Sequence, residues 1–382
     1  MATNDKKTVY VGMSGGVDSS VSAMLLKEQG YKIIGVYMKN WSEDLPGMKC
    51  PWAEDLADAK RVAVKLGINF EVWDFEDEYF KRVVEYMLRE FKAGNTPNPD
   101  IMCNQEIKFK LFYEKAMEAG ADFIATGHYA RVKRSDNGAT LLRATDENKD
   151  QTYFLYRISE DALAHTIFPI GDLTKPEVKT IAEDNGLHNA YKKESMGVCF
   201  VGEVGMKDFL KEYIDIKPGE IREIESEKVL GYHEGAVFYT IGQRHGLYLN
   251  GEKGAINDGF PYYIVKKDIK NNIIYVSKNL NNENIWTKEL KLRDVLIRTN
   301  TAESRHASSR PSLRGSSLTR FPLVAKCLDS AVLVRLRHRA PLIPAVFDGE
   351  SLQFENKIKR PASGQSAVLY NKEECLGGGI IA

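Results

Sequence analysis

Three short stretches of the sequence carry residue types that do chemistry together. The first is Ser14–Ser20, SGGVDSS, which is rich in glycine and hydroxyl side chains. The second contains Asp100 and Cys103 in NPDIMC, and the third contains Cys199 in GVCFVGE. Glycines let a backbone approach a ligand closely, and the N–H groups of a first helical turn attract anions. The first stretch therefore predicts a phosphate site, and the two cysteines are candidates for a dithiol pair.

An apolar run at Val9–Val11 leads into the glycine-rich stretch, and a helical pattern that includes Val21 and Leu25 follows it. This order predicts a strand, a tight turn and a helix start. A Gly-Gly pair alone would indicate only a capped turn. The complete string resembles the pyrophosphate loop, SGGxDSS, of ATP pyrophosphatases, in which ATP adenylates a carbonyl oxygen and pyrophosphate leaves. That resemblance implies that Asp18 helps to hold Mg²⁺, because a carboxylate repels phosphate.

Residues 8–130 alternate between strand and helix patterns, which predicts a parallel sheet with helices on both faces. The predicted strands are Thr8–Met13, Lys32–Met38, Phe70–Phe75 and Phe123–Thr126. The predicted helices are Val17–Gln29, Ala53–Leu66, Glu76–Phe91 and Gln105–Ala119. Met38 and Gly127 fall at the carboxyl edge of this sheet, where ligands bind. They are candidates for adenine and ribose contacts, with simple packing as the alternative.

The segment Ala93–Phe109 contains TPNPD, whose prolines cannot continue a helix because they lack an amide and restrict the preceding residue. We expect a rigid extended loop that presents Asp100 and Cys103 just before the next helix. Cysteines near a helix N-terminus are more reactive than others. A buried core cysteine is the alternative, and the polar, proline-fixed setting favours reactivity over burial.

The five cysteines include no CxxC pair, which argues against a zinc site. Gly197 and Gly202 flank Cys199 and indicate a turn that another backbone approaches closely. Taken alone, Cys199 would be a small buried hydrophobe, and only Cys103 makes a dithiol plausible. A polar triplet occurs at Lys149, Asp150 and Gln151. It is either a solvated loop or, beside a nucleotide site, a segment that binds a phosphodiester backbone.

The composition is that of an ordinary globular protein, with 43% hydrophobic and 28% charged residues among 382. Lys+Arg and Asp+Glu both number 53, so any nucleic-acid site must be a local patch. The sequence contains no run of eighteen apolar residues, and MATNDKK lacks the apolar centre of a signal peptide. We therefore expect a cytoplasmic protein.

The strand–helix alternation stops near Gly205, so we divide the chain into a catalytic domain at 1–205, a small connecting domain at 206–284 and a β-barrel at 285–382. The predicted barrel strands are Leu290–Ile297, Ala331–Arg339, Ala345–Phe347 and Ser366–Tyr370. Along the second of these, alternating basic residues predict a strip suited to phosphates, namely Arg335, Arg337, His338 and Arg339. Thr301–Arg320 is rich in serine and arginine and predicts a flexible basic loop.

Seven strings occur in the order found in the tRNA-specific 2-thiouridylase family, which the chain resembles over nearly all of residues 8–382. They are SGGVDSS, NPDIMCNQEIKF, TGHYAR, KDQTYFLY, GVCFVGE, FYTIGQRHGL and ECLGGGII. Residues 301–329 depart from the family pattern, as does Ser195-Met196 where serine-threonine is usual. The resemblance implies a Rossmann-like parallel sheet with a PP-loop ATPase site, then a connecting domain and a C-terminal β-barrel.

For the chemistry, the resemblance implies that ATP adenylates the carbon-2 oxygen of the wobble uridine in tRNAs of the lysine, glutamate and glutamine type. Cys199 would carry sulfur as a persulfide from a cysteine desulfurase or a sulfur-relay protein. Cys103 would be the nucleophile that resolves it, forming a Cys103–Cys199 disulfide or releasing sulfide, and Asp100 a general acid/base. The implied ATP-binding residues are Gly12, Met13, Ser14, Gly15, Gly16, Val17, Asp18, Ser19, Met38 and Gly127. The implied tRNA contacts are Asn98, Pro99, Asp100, His128, Lys149, Asp150, Gln151, Arg337, His338 and Gln365.

Three alternatives remain open on the sequence. An amide- or guanidine-forming synthetase would use the same loop without needing the cysteines. An RNA-binding module with a vestigial loop would not bind ATP. An iron–sulfur cluster on Asp100, Cys103 and Cys199, in place of a persulfide, would give three ligands and an open iron.

Overall fold

The computed structural model describes residues 6–44, 50–136, 138–193, 206–249, 252–253, 261–279, 281–298 and 330–382. Cys199, its neighbours Ser195 to Gly202 and the serine-rich segment 301–320 lie outside these residues. No helix within the described ranges is long and apolar enough to cross a membrane.

A parallel sheet forms the first part of the chain, as the strand–helix alternation predicts. The strands of this part are β1 (Thr8–Gly12), β2 (Lys32–Lys39), β3 (Asn69–Asp74), β4 (Phe123–Thr126), β5 (Arg131–Ser135), β6 (Gly138–Leu142) and β7 (Thr166–Ile167). Five of the described strands pair in the order β3-β2-β1-β4-β7, with every neighbour parallel. The four predicted strands agree with β1 to β4 to within one residue at each end, and the short edge strand β7 was not predicted.

Helices cover both faces of this sheet. They are α1 (Val17–Glu28), α2 (Trp52–Leu66), α3 (Glu76–Tyr79), α4 (Glu85–Lys92), α5 (Pro99–Cys103), α6 (Phe112–Glu118), α7 (Thr152–Leu155), α8 (Glu160–Ala164) and α9 (Lys175–Asp184). Wide π turns at Phe80–Val84 and Asn104–Leu111 join α3 to α4 and α5 to α6. Side chains alternate along β1, so that Tyr10 packs in one core while Val9 and Val11 pack in the other. Burial on both faces explains the continuous apolar run.

The central part is a mixed sheet preceded by a short helix, α10 (Met206–Tyr213). Its strands are β8 (Gly219–Glu223), β9 (Val229–His233), β10 (Tyr248–Leu249), β11 (Glu252–Lys253), β12 (Tyr263–Asp268) and β13 (Ile273–Ser277). Over the described residues they pair in the order β11-β10-β9-β8-β13-β12 around a small apolar core that includes Ile221 and Ile274.

The C-terminal part is a closed barrel. Its strands are β14 (Trp286–Ile297), β15 (Ser330–Arg335), β16 (Ile343–Phe347), β17 (Ser351–Lys359), β18 (Ser366–Asn371) and β19 (Glu374–Ile381). Pairing of β14 with both β17 and β19 closes the ring among the described strands. The hairpin of β5 and β6 extends the same sheet beyond β19, so a piece of the first part belongs structurally to the barrel. The sequence analysis did not find β5, β6, β17 or β19.

The prediction of a basic strand over 331–339 is correct up to Arg335 and wrong for residues 336–339. Strand β15 ends at Arg335, and residues 336–339 form a turn in which Arg339 takes a positive φ of 63°. Arg335 points inward and is 4% exposed, whereas Arg337 is on the surface. The four basic residues therefore do not form one strip, because the alternation that would align them stops at the strand end.

The seam between the first part and the barrel is polar and buried. Arg335 Nη1 donates to Asp150 Oδ2 at 2.6 Å, and the Asp150 side chain is 1% exposed. Asp150 also accepts hydrogen bonds from the Thr152 hydroxyl at 2.7 Å and from Arg143 at 3.4 Å. Next to it, the Tyr153 hydroxyl donates to the Ser366 carbonyl at 3.1 Å. The string KDQTYFLY therefore fixes the barrel against the sheet, and the Asp150 carboxylate has no surface to offer to RNA.

Replacing Arg335 by methionine should destabilise the protein. Removing Arg335 leaves the buried Asp150 carboxylate with the more distant Arg143 as its charged partner, and breaking a buried pair costs roughly 3 kcal/mol or more. The measurement is the urea unfolding midpoint, compared with Arg337→Met, an equal change of type on the exposed turn two residues later. Equal midpoints for the two variants would contradict a structural role for the ion pair.

Candidate active site

The glycine-rich stretch forms the turn between β1 and α1. Gly15 has a φ of +78°, and a Cβ added there would lie 2.3 Å from the carbonyl oxygen of Asp55 at the start of α2. Only glycine fits at this position. The N-cap of α1 is Gly16, which has no side chain to cap the helix. The N-cap residue therefore supplies no side-chain acceptor to the first-turn N–H groups of α1, an arrangement that suits an anion site.

The serines of the stretch stiffen the turn from within. The Ser14 N–H donates to Ser19 Oγ at 3.2 Å, and the Ser19 hydroxyl donates to the Gly16 carbonyl at 3.1 Å. The Ser20 hydroxyl donates to the same carbonyl at 2.9 Å. These bonds fix the conformation of the loop from within, so little conformational entropy has to be lost when a ligand binds.

Met38 and Gly127 meet this loop, at the sheet edge where the sequence placed them. A Cβ added at Gly12 would lie 2.8 Å from Met38 Cε, and one added at Gly127 would lie 2.6 Å from the Ser19 backbone nitrogen. The ends of β1, β2 and β4 thus converge on the first turn of α1. The structure brings all the predicted ATP-site residues together.

Asp18 lies in an ion pair that the sequence analysis did not find. Lys175 Nζ, at the start of α9, donates to Asp18 Oδ1 at 2.7 Å and Oδ2 at 2.9 Å. The Tyr129 hydroxyl donates to Asp18 Oδ1 at 2.9 Å. Lys175 is only 7% exposed, so a positive charge is held within the loop region. The local signal at this position, the capping box of Thr174 and Glu177, marks a helix start and does not reveal the partner.

The second group of candidates lies on α5. This helix begins at Pro99, and the Asn98 side chain caps it by accepting the Ile101 N–H at 3.3 Å. Asp100 and Cys103 therefore lie inside the helix, not on an extended loop before it, because proline is well suited to the first helical position. Cys103 is 4% exposed, which contradicts the expectation of a solvent-facing thiol.

The environment of α5 favours uncharged side chains. Desolvation raises the pKa of the half-buried Asp100, while the positive charge of Lys108 acts in the opposite direction. Burial lowers the pKa of His128 well below its ordinary value, and Lys108 adds to this effect. The His128 ring packs against Phe109 and Phe168 with centroids 5.8 and 6.1 Å away, and its Nδ1 lies 2.7 Å from the Thr126 hydroxyl. His128 is neutral at physiological pH.

The segment that precedes α5 is tied to both other parts of the protein. The Thr96 N–H donates to the Ser363 carbonyl, and Gln365 Nε2 donates to the Thr96 carbonyl, both at 2.7 Å. From the central part, Lys267 Nζ donates to the carbonyls of Gly94 and Tyr239, also at 2.7 Å. Gln365, predicted as a tRNA contact, is engaged here in holding the segment.

The remaining predicted tRNA contacts are spread along one side of the seam. Gln151 pairs with Tyr129, accepting its N–H through Oε1 at 2.9 Å. The half-buried His338 packs on Phe154 with ring centroids 4.6 Å apart, and burial, with Arg339 and Arg335 nearby, lowers its pKa to about 4. Lys149 is partly exposed and Arg337 fully so. No cluster of three potential metal-ligating side chains occurs in the part of the chain that the structure describes, which does not include Cys199.

A phosphate loop of sequence SGGVDSS at the carboxyl edge of a parallel sheet defines the chain as a PP-loop protein, the class of the ATP pyrophosphatases. Residues 7–203 match the family described as tRNA methyl transferase HUP domain, residues 207–278 the tRNA methyl transferase PRC-barrel domain, and residues 324–381 the aminomethyltransferase beta-barrel domain.

Curated proteins named tRNA-specific 2-thiouridylase MnmA are similar along the whole chain. That of Idiomarina loihiensis is 46% identical over 99% of this chain and 97% of its own length. Those of Histophilus somni and Listeria monocytogenes are 47% and 44% identical, over 100% of this chain and 94% and 96% of their own lengths. The chain belongs to the tRNA-specific 2-thiouridylase MnmA family. A solved 4-thiouridine synthetase–RNA complex with bound ATP is 17% identical over 54% of this chain and 50% of its own, with a TM-score of 0.35, a likeness too slight to bear on function.

Lys267 should make stability depend on pH in the alkaline range. Desolvation lowers its pKa to about 8, whereas an unfolded lysine titrates near 10.4. Between these values the unfolded chain binds more protons, so this group makes stability rise with pH from about 8 to about 10. In Lys267→Met that rise should disappear, while the exposed neighbour variant Lys266→Met should keep it. Urea midpoints at pH 7, 8, 9 and 10 measure the effect, and parallel curves for the wild type and Lys267→Met would disprove it.

Proposed function

We propose that the protein is an ATP-dependent tRNA-uridine 2-sulfurtransferase that converts the wobble uridine to 2-thiouridine. The observation that carries this proposal is the junction at Gly127 and His128. Gly127 packs on the phosphate loop, and the next residue packs on the helical segment that follows Asp100 and Cys103. A nucleotide phosphate and a target base would therefore meet at one sheet edge, as adenylation of a base requires.

On the ATP side, the N–H groups of the loop and of the first turn of α1 would bind the phosphates. Lys175 supports this assignment because it supplies a buried positive charge beside an otherwise acidic position, Asp18. Mg²⁺ fits the same place: among the described residues Asp18 Oδ2 accepts the hydrogen bond of Lys175, a carboxylate oxygen has a further lone pair for a hard cation, and the triphosphate would supply other oxygens. Mg²⁺ would neutralise charge on the leaving pyrophosphate. Met38 and Gly127 would contact adenine and ribose.

On the base side, Asn98, Pro99 and Asp100 would meet the flipped uridine. A base in an anticodon loop is already partly unstacked, so extrusion costs little. The raised pKa of Asp100 suits a general acid/base, because a carboxyl group that titrates closer to neutrality can both hold and accept a proton. Neutral His128 and its aromatic neighbours would exclude water from the reaction.

The sulfur step uses the two cysteines. A Cys199 persulfide would be attacked at its inner sulfur by the Cys103 thiolate, which forms a Cys103–Cys199 disulfide and releases sulfide. Sulfide would then attack carbon 2 of the adenylated uridine, and AMP would leave with the former carbonyl oxygen. An external thiol reductant would return two electrons to the disulfide. A cysteine desulfurase or a sulfur-relay protein would load Cys199.

For tRNA binding we retain the partly exposed Lys149 and the exposed Arg337, together with Gln151 and His338. His338 would act through its ring and hydrogen bonding, since burial keeps it neutral. We assign Asp150 and Gln365 to positioning, because both are engaged inside the protein. We keep the domain boundaries at 1–205, 206–284 and 285–382, and tRNAs of the lysine, glutamate and glutamine type as substrates.

Reconstitution tests the activity and the thiol roles together. Purified protein, Mg-ATP, a cysteine desulfurase with cysteine, a thiol reductant and unmodified glutamate tRNA should give 2-thiouridine, detected by nucleoside mass analysis. Cys103→Ala and Cys199→Ala should each lose the product, because sulfur transfer needs both thiols. Cys50→Ala is the matched control, since Cys50 is a buried thiol of the same domain whose pKa burial raises.

Product from either the Cys103→Ala or the Cys199→Ala variant would contradict the dithiol mechanism. Absence of product with the wild type, while ATP is cleaved in the presence of small amines, would favour a synthetase.

Lys175→Met should weaken ATP binding roughly tenfold or more, because it removes a buried positive charge beside the loop that would bind the triphosphate. Lys179→Met on the exposed side of the same helix is the control. Calorimetric titration with Mg-ATP measures both. An affinity in Lys175→Met equal to that of the control would refute a role for Lys175 in the ATP site.

A further inference from the structure

The segment His188–Lys192, which follows α9, lies behind the phosphate loop, and we call it the strap. Lys192 Nζ donates to Asp55 Oδ1 at 2.7 Å and to Asp58 Oδ2 at 2.6 Å. His188 Nε2 lies 3.1 Å from Asp58 Oδ1. Both acidic residues belong to α2, so the strap is fixed to this helix at both ends.

Between these two anchors, Asn189 reaches the loop itself. Its Nδ2 donates to the Gly15 carbonyl and to Ser20 Oγ, both at 2.9 Å, and the residue is 2% exposed. The Gly15 carbonyl can only accept, so it must face the amide nitrogen of Asn189 and not its oxygen. Asn189 Oδ1 is then left buried without a hydrogen-bond partner among the described residues. A buried polar atom without a partner among these residues calls for an explanation beyond packing.

Because a peptide bond is planar, the contact of Asn189 with the Gly15 carbonyl also fixes the direction of the Gly16 N–H. The Gly15–Gly16 peptide is planar, and no cis bond occurs in the described chain, so the Gly15 C=O and the Gly16 N–H point in opposite directions. With the carbonyl held by Asn189, the N–H faces away from the strap. No acceptor for the Gly16 N–H occurs among the described residues. Flanking glycines would otherwise let this peptide flip easily.

We propose that Asn189 is a positioning residue of the phosphate loop, which turns the Gly16 N–H toward the pyrophosphate part of ATP. The inference rests on the proposed use of ATP. Without the amide donor the peptide would flip and present the Gly15 carbonyl to the phosphates, which repel it. An aspartate would enforce the flip, because its carboxylate repels the carbonyl from the strap side. Asn189→Asp should therefore be worse than Asn189→Ala, although aspartate fills the space and alanine leaves a cavity.

The test compares Mg-ATP with AMP, which lacks the pyrophosphate part. In Asn189→Asp the dissociation constant for Mg-ATP should rise at least roughly tenfold, and in Asn189→Ala by less. The constant for AMP should stay within about twofold in both. In the thiolation assay KM for ATP should rise in the same order while KM for tRNA does not change. Asn185→Asp is the matched control, since Asn185 caps the exposed end of α9.

The outcomes separate a positioning role from simple packing. Equal losses of ATP and AMP binding, or a larger loss in the alanine variant, would overturn the proposal. Thermal melting shows whether each variant folds. If Asn189→Asp does not fold, the comparison of ATP with AMP binding in Asn189→Ala still tests the proposal. Failure of the wild type itself to bind Mg-ATP would overturn the proposed function and this inference with it, and is recognised before any variant is made.

Discussion

The buried ion pair between Asp150 and Arg335 is the contact on which the arrangement of the active-site region depends. Two charges in a protein interior are tolerated only when their geometry is good and the remaining lone pairs are hydrogen-bonded. Here Thr152 and Arg143 complete the hydrogen bonding of Asp150. Any shift of the barrel against the parallel sheet would leave a carboxylate unpaired in the interior. The pair therefore specifies one relative position of the two parts.

That position determines where the reactive groups of α5 lie. Ser363 and Gln365 belong to the barrel, and both hydrogen-bond to the backbone of Thr96. Two residues later Asn98 caps α5, whose first turns carry the carboxylate and the thiol. Groups that must meet a substrate with sub-ångström accuracy need support from outside their own loop. The barrel thus fixes the position of the segment that carries Asp100 and Cys103.

Local patterns allowed the sheet and its phosphate loop to be predicted, because an apolar run, a glycine turn and a helix start are adjacent in sequence. The role of Asp150 was not predictable, since a polar triplet has the same local pattern whether it faces water or an arginine 185 residues away. The prolines predict an extended loop that presents Cys103 to solvent, whereas Pro99 begins a helix in which the thiol is buried. Lys175 and Asp18 are 157 residues apart in the sequence, and a local hydrophobic pattern cannot predict an ion pair between such distant residues.

The phosphate loop and the proposed base site meet at a single peptide bond, the one between Gly127 and His128. Gly127 cannot carry a side chain because the first turn of α1 lies against it, and His128 packs on Phe109 of the helical segment beyond α5. Consecutive Cα atoms are about 3.8 Å apart, so the phosphate loop and the proposed base site cannot separate by a hinge at this point. A reaction that joins a nucleotide phosphate to a base oxygen needs this fixed spacing more than it needs mobility. Under the proposed function each half would select its own part of the reaction, because the positive charge of Lys175 lies beside the loop while the environment of α5 favours uncharged groups.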